Sequence, residues 1–417
     1  MTLATKASTF SPIYDKEDLL TGCQAVAQAV RLADVDVIAA YPIRPYTEVM
    51  DAISKIIADG QLDAEYMIAD SEHSQFEIVK HASSVGARAF AGSSGTGWCY
   101  AYEALVVTAT DRLPVVAIVG NRALDDPGAF GVEHNDAMAV RDMGWLLCWV
   151  TTAQEALEHV LLGYRVAEDA RVRMPMALAL DGGFLTHSQH MVRIPSQEAV
   201  RRYLPAYDLG ERRMHPDNPI SIAPQVNEDW VMELRRQNWG AAQRARGVIA
   251  EAYQELNAVF GTHYTSPYFD EFMTDDADAV LIGLGTVAMP GRTAVRRMRE
   301  QGHKVGYVNL RWFRPFPTQE LRACLRRFKA VGVIDRDFAH GSPDDGGILL
   351  HEIRSCLYPA RFVGASGGRP PVVLNFIAGL GGRDVSIANC QRMLELSLAA
   401  IGNEDAGGSV TWIGVRE

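Results

Sequence analysis

Between residue 21 and about 190, short and almost wholly apolar runs alternate with helix-length segments that carry one apolar stripe, a pattern few folds accept. Val35 to Tyr41 (VDVIAAY), Arg88–Ser93, Pro114–Asn121, Trp145–Val150 and Met174–Asp181 read as strands. Thr21 can cap a helix with Val26, Val30 and Ala33 on one face. Pro45 and Thr47 open a second helix, striped by Val49, Met50, Ile53, Ile56 and Ile57 and closed by Gly60. Ser71–Val85, with Phe76, Val79 and Ala82 inward, Tyr100–Thr110 and Ala153–Asp169 complete the helices. Strands apolar along nearly their whole length are covered on both faces, so the expected fold class is α/β with a doubly wound parallel sheet.

The rhythm stops near residue 191. Pro195, Pro205, Pro216, Pro219 and Pro224 punctuate a polar stretch, and a charged helix follows from about Glu228 to Phe260. This reads as a linker with an arm-like helix docked on a neighbour. After Asp275 the alternation resumes: strands Ala279–Gly285, Lys304–Leu310, Ala330–Asp335 and Val372–Ala378 interleave with helices near Met289–Gln301, Thr318–Phe328, Gly346–Leu357 and Ile387–Ile401. The expected division is therefore one α/β domain over 1–190, a linker over 191–275 and a smaller α/β domain over 276–417.

Forty Lys and Arg against 51 Asp and Glu leave a formal charge of −11, with no long basic run, which argues against nucleic acid or an anionic membrane as partner. Met1 to Pro12 has no apolar signal-peptide core, and no stretch approaches the roughly 18 apolar residues of a membrane span. A cytoplasmic location is expected. Cys23, Cys99, Cys148, Cys324, Cys356 and Cys390 lie far apart with no CxxC pair, which fits neither zinc nor iron–sulfur ligation. Buried, reduced thiols are the expectation, and a redox enzyme built on this chain would carry its electron carriers on another subunit.

Ligands of open α/β sheets gather beyond the carboxyl ends of the strands. In the first domain the loops there are YPIRPYT (41–47), ADSEHS (69–74), SSGTG (93–97), NRALDD (121–126) and DGGFLTH (181–187). The SSGTG turn, with Ser93 and Gly95, could cradle a phosphate, but it lacks a Walker lysine and a dinucleotide fingerprint; a tight turn against a partner suits it as well. GLGTVAMPG in the second domain has the same weakness. Arg44, held between two prolines, and Arg122, at the end of a strand, could converge on a carboxylate substrate, because each guanidinium binds both oxygens of a planar anion. The plainer alternative is a salt bridge to Glu72, Asp125 or Asp126. Glu72 opens a helix, where the macrodipole favours a carboxylate, and an exposed first-turn glutamate would satisfy that alone. Tyr46, Trp98 and Phe130 could line an aromatic pocket or simply pack at the domain edge.

At these loops the sequence resembles the α subunits of the pyruvate:ferredoxin oxidoreductase superfamily. The segments that carry the resemblance are AAYPIRPYTEV, DSEHS, SSGTG, LPVVAIVGNRAL, EHNDAMAVRDMGW, LALDGGFLTHS, LRWFRPFP and GLGGRDVS, in the family's order from Thr21 to about Asn389. The resemblance implies a pyrimidine-binding thiamine diphosphate domain followed by a transketolase C-terminal-like domain. It implies that Glu72 contacts the aminopyrimidine, sharing a proton with a ring nitrogen and so favouring the imino form that generates the ylid. It also implies that Arg122 binds the substrate carboxylate. Asn121 and Asp136 lie in matching segments with no assigned role. Arg44 is a departure, since pyruvate-type members carry Thr there in a YPITP loop. A cation could meet a second carboxylate, as oxalate requires, or brace the keto acid from another side.

Within the superfamily the chain is most similar over its length to the branch that oxidises phenylglyoxylate. That branch implies CoA-dependent oxidative decarboxylation to benzoyl-CoA with NAD as final acceptor. The architecture implies that the diphosphate and its magnesium lie on a β subunit, and that iron–sulfur clusters, FAD and NAD sit on further subunits. An oxalate- or pyruvate-type enzyme, or a non-catalytic scaffold subunit, are the alternatives.

Overall fold

The computed structural model describes residues 13–125, 127–358 and 370–416. The expectation for Met1 to Pro12, and Asp126 as an ion-pair partner, lie outside them. Tyr14–Thr21 forms β1, and Thr21 then caps α1 (Gly22–Leu32) through a capping box. Its hydroxyl accepts from the Gln24 amide at 3.2 Å, while its own amide donates to the Gln24 side chain at 3.0 Å. Next come β2 (Val37–Ala40), α2 (Thr47–Ala58), β3 (Glu65–Ile68), α3 (Glu72–Ser84), β4 (Ala89–Ser93), α4 (Gly95–Tyr100) and α5 (Tyr102–Thr110). The domain is completed by β5 (Val116–Asn121), α6 (Asn135–Ala139), β6 (Leu146–Trp149), α7 (Ala153–Ala167) and β7 (Met176–Asp181). The ribbon strand β8 (Gln189–Pro195) returns antiparallel to β1, and α8 (Gln197–Tyr203) leads towards α9 (Glu228–Phe260), the long helix expected in the linker.

The second unit contains β9 (Phe269–Phe272), β10 (Ala279–Leu284), α10 (Ala288–Glu300), β11 (Val305–Leu310) and β12 (Trp312–Arg314). It continues through α11 (Thr318–Leu325), β13 (Ala330–Asp335), α12 (Ile348–Leu357), β14 (Val372–Ala378), α13 (Ile387–Ala399) and β15 (Val410–Ile413). Its sheet runs β15-β14-β13-β10-β11-β9, parallel except for β9. The first sheet runs β12-β6-β7-β5-β4-β2-β3, parallel except for β12 at the edge. That edge strand comes from the second unit of sequence, so the two α/β units are sewn together rather than merely adjacent. Burial shows the same: Val280, Ile282 and Leu284 of β10 join the core of the first unit, while Ala279 and Leu281, on the opposite pleat, pack with α10 and α13.

The chain leaves β2 towards β3 on one side and leaves β4 towards β5 on the other. The crevice between the carboxyl ends of β2 and β4 is therefore the topological switch point of the first sheet, where open α/β sheets bind their ligands. Among the described residues, no helix is long and apolar enough to cross a membrane.

Candidate functional site

Four loops meet at this crevice. The loop after β2 is drawn down onto the sheet because two of its neighbours lack side chains. A Cβ on Gly120 would stand 2.8 Å from the Pro45 ring, and one on Gly92 would stand 2.3 Å from the ring of Tyr46. Ser94 Oγ also accepts from the Tyr46 amide at 3.3 Å. With its ring flat on Gly92, Tyr46 is 1 % exposed and belongs to the core. Its hydroxyl is buried without a partner among the described residues. Trp98 is likewise interior, edge-on to Phe76 and Trp145 with ring centroids 5.3 and 5.6 Å away. Of the three aromatics, only Phe130 stands at the opening, 71 % exposed, with the Arg122 guanidinium 5.2 Å from its ring.

Glu72 occupies the first turn of α3, whose start is fixed by Ser71 accepting from the Ser74 amide at 3.1 Å. It is not the exposed helix-start glutamate that spacing alone allows, being only 8 % exposed. The reason lies on α4: the place a Cβ of Gly97 would take is 2.3 Å from Glu72 Oε1 and 2.7 Å from Ile43 Cδ1. A glycine there admits the carboxylate between two helix starts. No hydrogen bond from the described residues reaches it, although a buried polar group normally finds a partner. Nearby, Ser93 Oγ, Asn121 Oδ1 and Arg122 Nε are buried without a partner. Unpaired polar atoms of both kinds concentrated at one crevice suit a polar ligand with donors and acceptors of its own, as an aminopyrimidine is.

Arg122 is 8 % exposed. Its Nη1 donates to the Arg44 carbonyl at 3.2 Å, and its Nη2 faces Asp125 Oδ2 at 3.2 Å, so the ion pair weighed from sequence is present with Asp125. The Arg44 side chain is exposed and makes no ion pair with the described residues. The structure thus brings the Arg122 side chain to the Arg44 backbone and leaves the Arg44 guanidinium exposed, unpaired among the described residues.

Asp136, on α6, ties these loops to each other. Its carboxylate accepts from the Gly95 amide at 2.9 Å, the Arg122 amide at 3.0 Å, the Asn121 side chain at 2.7 Å and the Ala137 amide at 2.7 Å. Complete burial pushes its pKa up to about 6, against the downward pull of those four donors. Since the Gly95 amide is committed to Asp136, it is not free to cradle a phosphate. Gly95 contributes its backbone instead: φ is +53°, and a Cβ would lie 3.0 Å from Arg122 Nε. Ser93, wholly buried, keeps its hydroxyl inside the crevice wall.

Sequence reasoning took the strand end at Asp181 as another ligand loop. The structure makes it the clamp between the two units. Asp181 Oδ1 meets His134 Nε2 at 2.8 Å, and Oδ2 receives Arg336 Nη1 at 2.9 Å and the amide and hydroxyl of Thr286 at 2.8 and 2.5 Å. Burial raises its pKa, but the charge and hydrogen bond of His134, with Arg336 and Thr286, outweigh that and hold the carboxyl well below the usual range. No local motif marks this residue, because Thr286 and Arg336 lie 105 and 155 positions away.

Solved structures share the architecture. A 2-oxoglutarate:ferredoxin oxidoreductase from Magnetococcus marinus, determined with 2-oxoglutarate, coenzyme A and succinyl-CoA bound, superposes with a TM-score of 0.67 at 17% identity, over 95% of this chain and 68% of that one. A split-gene transketolase gives 0.51 at 14% identity, over 91% of this chain and 99% of that one. Those likenesses define the class by fold.

Sequence defines the family. Residues 28–254 match the family described as pyruvate flavodoxin/ferredoxin oxidoreductase, thiamine diphosphate-binding, and residues 277–390 match pyruvate:ferredoxin oxidoreductase core domain II. The pyruvate synthase subunit PorA of Pyrococcus horikoshii is 36% identical over 399 residues, covering 94% of this chain and 97% of that one. PorA of Methanothermobacter thermautotrophicus is also 36% identical, covering 96% and 98%. The ketoisovalerate oxidoreductase subunit VorA of Pyrococcus abyssi is 33% identical, covering 94% and 96%. The chain belongs to the α-subunit family of the pyruvate:ferredoxin oxidoreductases.

Proposed function

We propose that this chain is the α subunit of a multi-subunit 2-oxoacid oxidoreductase and that Glu72 holds the aminopyrimidine of thiamine diphosphate. The observation that carries the reading is Glu72 at the switch point of the sheet, only 8 % exposed, its carboxylate in the space Gly97 leaves open and hydrogen-bonded by no described residue. Thiamine diphosphate, when bound, supplies the nucleophilic carbon that adds to a keto group. Glu72 would hold a proton at the pyrimidine nitrogen, Arg122 would pair with the substrate carboxylate, and Asp136 would keep Gly95, Asn121 and Arg122 in register. Residues 1–190 would carry the pyrimidine site, 191–275 the linker, and 276–417 the transketolase C-terminal-like domain.

The relatives' names support a 2-oxoacid as substrate, and the ligands of the structural neighbour support coenzyme A as co-substrate. We assign the diphosphate and its magnesium to a β subunit, and iron–sulfur clusters with FAD and NAD to further subunits. The cysteine spacing supports the second assignment. Exposed Ile68 and Tyr100 beside the crevice support the first, since a half-site needs a cover.

For the substrate, the exposed Arg44 guanidinium, on the loop whose backbone Arg122 holds, supports a small acid with a second anionic group, oxalate being the simplest. The relatives are named pyruvate synthase and ketoisovalerate oxidoreductase, and they lend no support to phenylglyoxylate oxidation to benzoyl-CoA with NAD as acceptor. Two of the aromatic walls it would use, Tyr46 and Trp98, are in the core. Assaying the assembled complex with oxalate, pyruvate and phenylglyoxylate at matched concentrations tests the choice. Oxalate should turn over fastest, and Arg44→Thr should move the preference towards pyruvate by about 10- to 100-fold, the worth of one charge-assisted contact. A dominant phenylglyoxylate rate, insensitive to Arg44→Thr, refutes it.

A further inference from the structure

Around the exposed N-terminal half of α9, Arg112 lines one cavity with Arg212 and a second with Arg244, and Arg173 lies against the turn at Gly210 that precedes Arg212. Arg112 follows α5, Arg173 precedes β7, Arg212 lies in the linker and Arg244 on α9. Elsewhere on this face arginines are matched with carboxylates: Arg171 meets Asp169 at 2.8 Å and Glu251 at 2.6 Å, and Arg165 meets Glu255 at 2.9 Å. The four have no such partner among the described residues. Three of them donate to backbone carbonyls instead: Arg112 Nη2 to Val172 at 2.6 Å, Arg212 Nη2 to Asp111 at 2.8 Å and Arg244 Nε to Arg171 at 2.9 Å. Arg112 Nε and Arg173 Nε are buried with no acceptor at all. Burial, then the charges of Arg212, Arg244 and Arg173, lower the Arg112 pKa to about 10.

Two cavities open onto Arg112. One, of 520 Å³, is walled by Asp111, Arg212, Leu234 and Asn238; the other, of 550 Å³, by Arg236, Trp239 and Arg244. Asp111 lines the first cavity with Arg212 without an ion pair to it, and its Oδ2 accepts from the Ala223 amide at 2.8 Å. Glu211 and Glu233 also border the cavities and pair with none of the four. Like charges gathered around an orphaned, buried Nε cost stability unless an anion joins them. Guanidinium forks match tetrahedral oxyanions in pairs, and a dianion neutralises twice what a single carboxylate does.

We propose that Arg112, Arg173, Arg212 and Arg244 form a binding site for a phosphate group, free or carried by a nucleotide. Calorimetric titration of the full chain with inorganic phosphate, ADP and a glutamate-rich peptide, at constant ionic strength, tests it. One saturable phosphate site is expected, weakened at least about tenfold by the double variant Arg212→Gln/Arg244→Gln, whose two positions are exposed. Tighter binding of ADP than of phosphate would make the source a nucleotide, and equal binding would make it the free ion. The proposal is overturned by the absence of saturable phosphate and ADP binding, by binding the double variant leaves unchanged, or by binding of the peptide alone. Circular dichroism of the double variant establishes that a lost signal is not lost fold.

Discussion

Glu72 and Asp181 are both buried carboxylates at the carboxyl edge of the first sheet, and their surroundings are opposite. Asp181 receives a histidine, an arginine, a hydroxyl and an amide, drawn from both units of the chain. Glu72 receives no hydrogen bond from the described residues, and a glycine on the facing helix keeps its space open. A satisfied buried carboxylate holds the units in register. An unsatisfied one costs stability, and persists where a ligand completes it.

The largest break of that comparison comes from the satisfied side. Asp181→Ala leaves Arg336 and His134 facing each other across the seam, and should cost about 3–5 kcal/mol in urea unfolding, the usual result of removing one partner from a buried pair. A loss under about 1 kcal/mol, within the range of an exposed pair, would show that Asp181 is no clamp. The pH dependence has a definite sign. Because the folded carboxyl lies well below its unfolded value near about 4, its stabilisation is present above that pH and fades as pH falls further. The alanine variant should lack that acid-side loss.

Gly97→Ala attacks the open space at Glu72. Its methyl group would meet Oε1 at 2.3 Å, so the carboxylate must shift. Overpacking of this kind costs about 1–3 kcal/mol, and turnover of the assembled complex should fall with it. Wild-type turnover in this variant would show that the carboxylate's position does not matter. The smallest effect concerns Asp136, which stands between the two cases: fully hydrogen-bonded yet raised in pKa to about 6 by burial. Its folded value exceeds its unfolded one near about 4, so its contribution is present at low pH and lost as pH rises through about 6. Asp136→Asn should flatten the stability profile between those values, and a steeper slope would contradict the account.

Much of the frame was legible in the amino-acid order. The stripe Val49, Met50, Ile53 and Ile56 faces the core as its spacing requires, Thr21 caps its helix, and α9 spans Glu228–Phe260. The strands that escaped reading are short or exposed. β3 shows Met67 and Ile68 to solvent, and β12 has three residues and joins a sheet begun more than a hundred positions earlier. The site was legible in part. Spacing put Glu72 at a helix start, but its burial depends on Gly97, on another helix. The orientation of Tyr46 was not legible, because an aromatic on a strand-end loop can turn either way and the choice was made by Gly92 beneath it. Asp136 gathers three backbone amides, donors that no side-chain pattern reveals.

The most direct test is Glu72→Gln in the assembled complex, with 2-oxoacid oxidation and unfolding measured on the same preparation. Replacing the carboxylate by its neutral isostere should lower turnover by about 10²–10⁴-fold while leaving stability nearly unchanged, since no described residue hydrogen-bonds the group replaced. Unchanged turnover would contradict the account and leave this chain a scaffold that kept the fold without the chemistry.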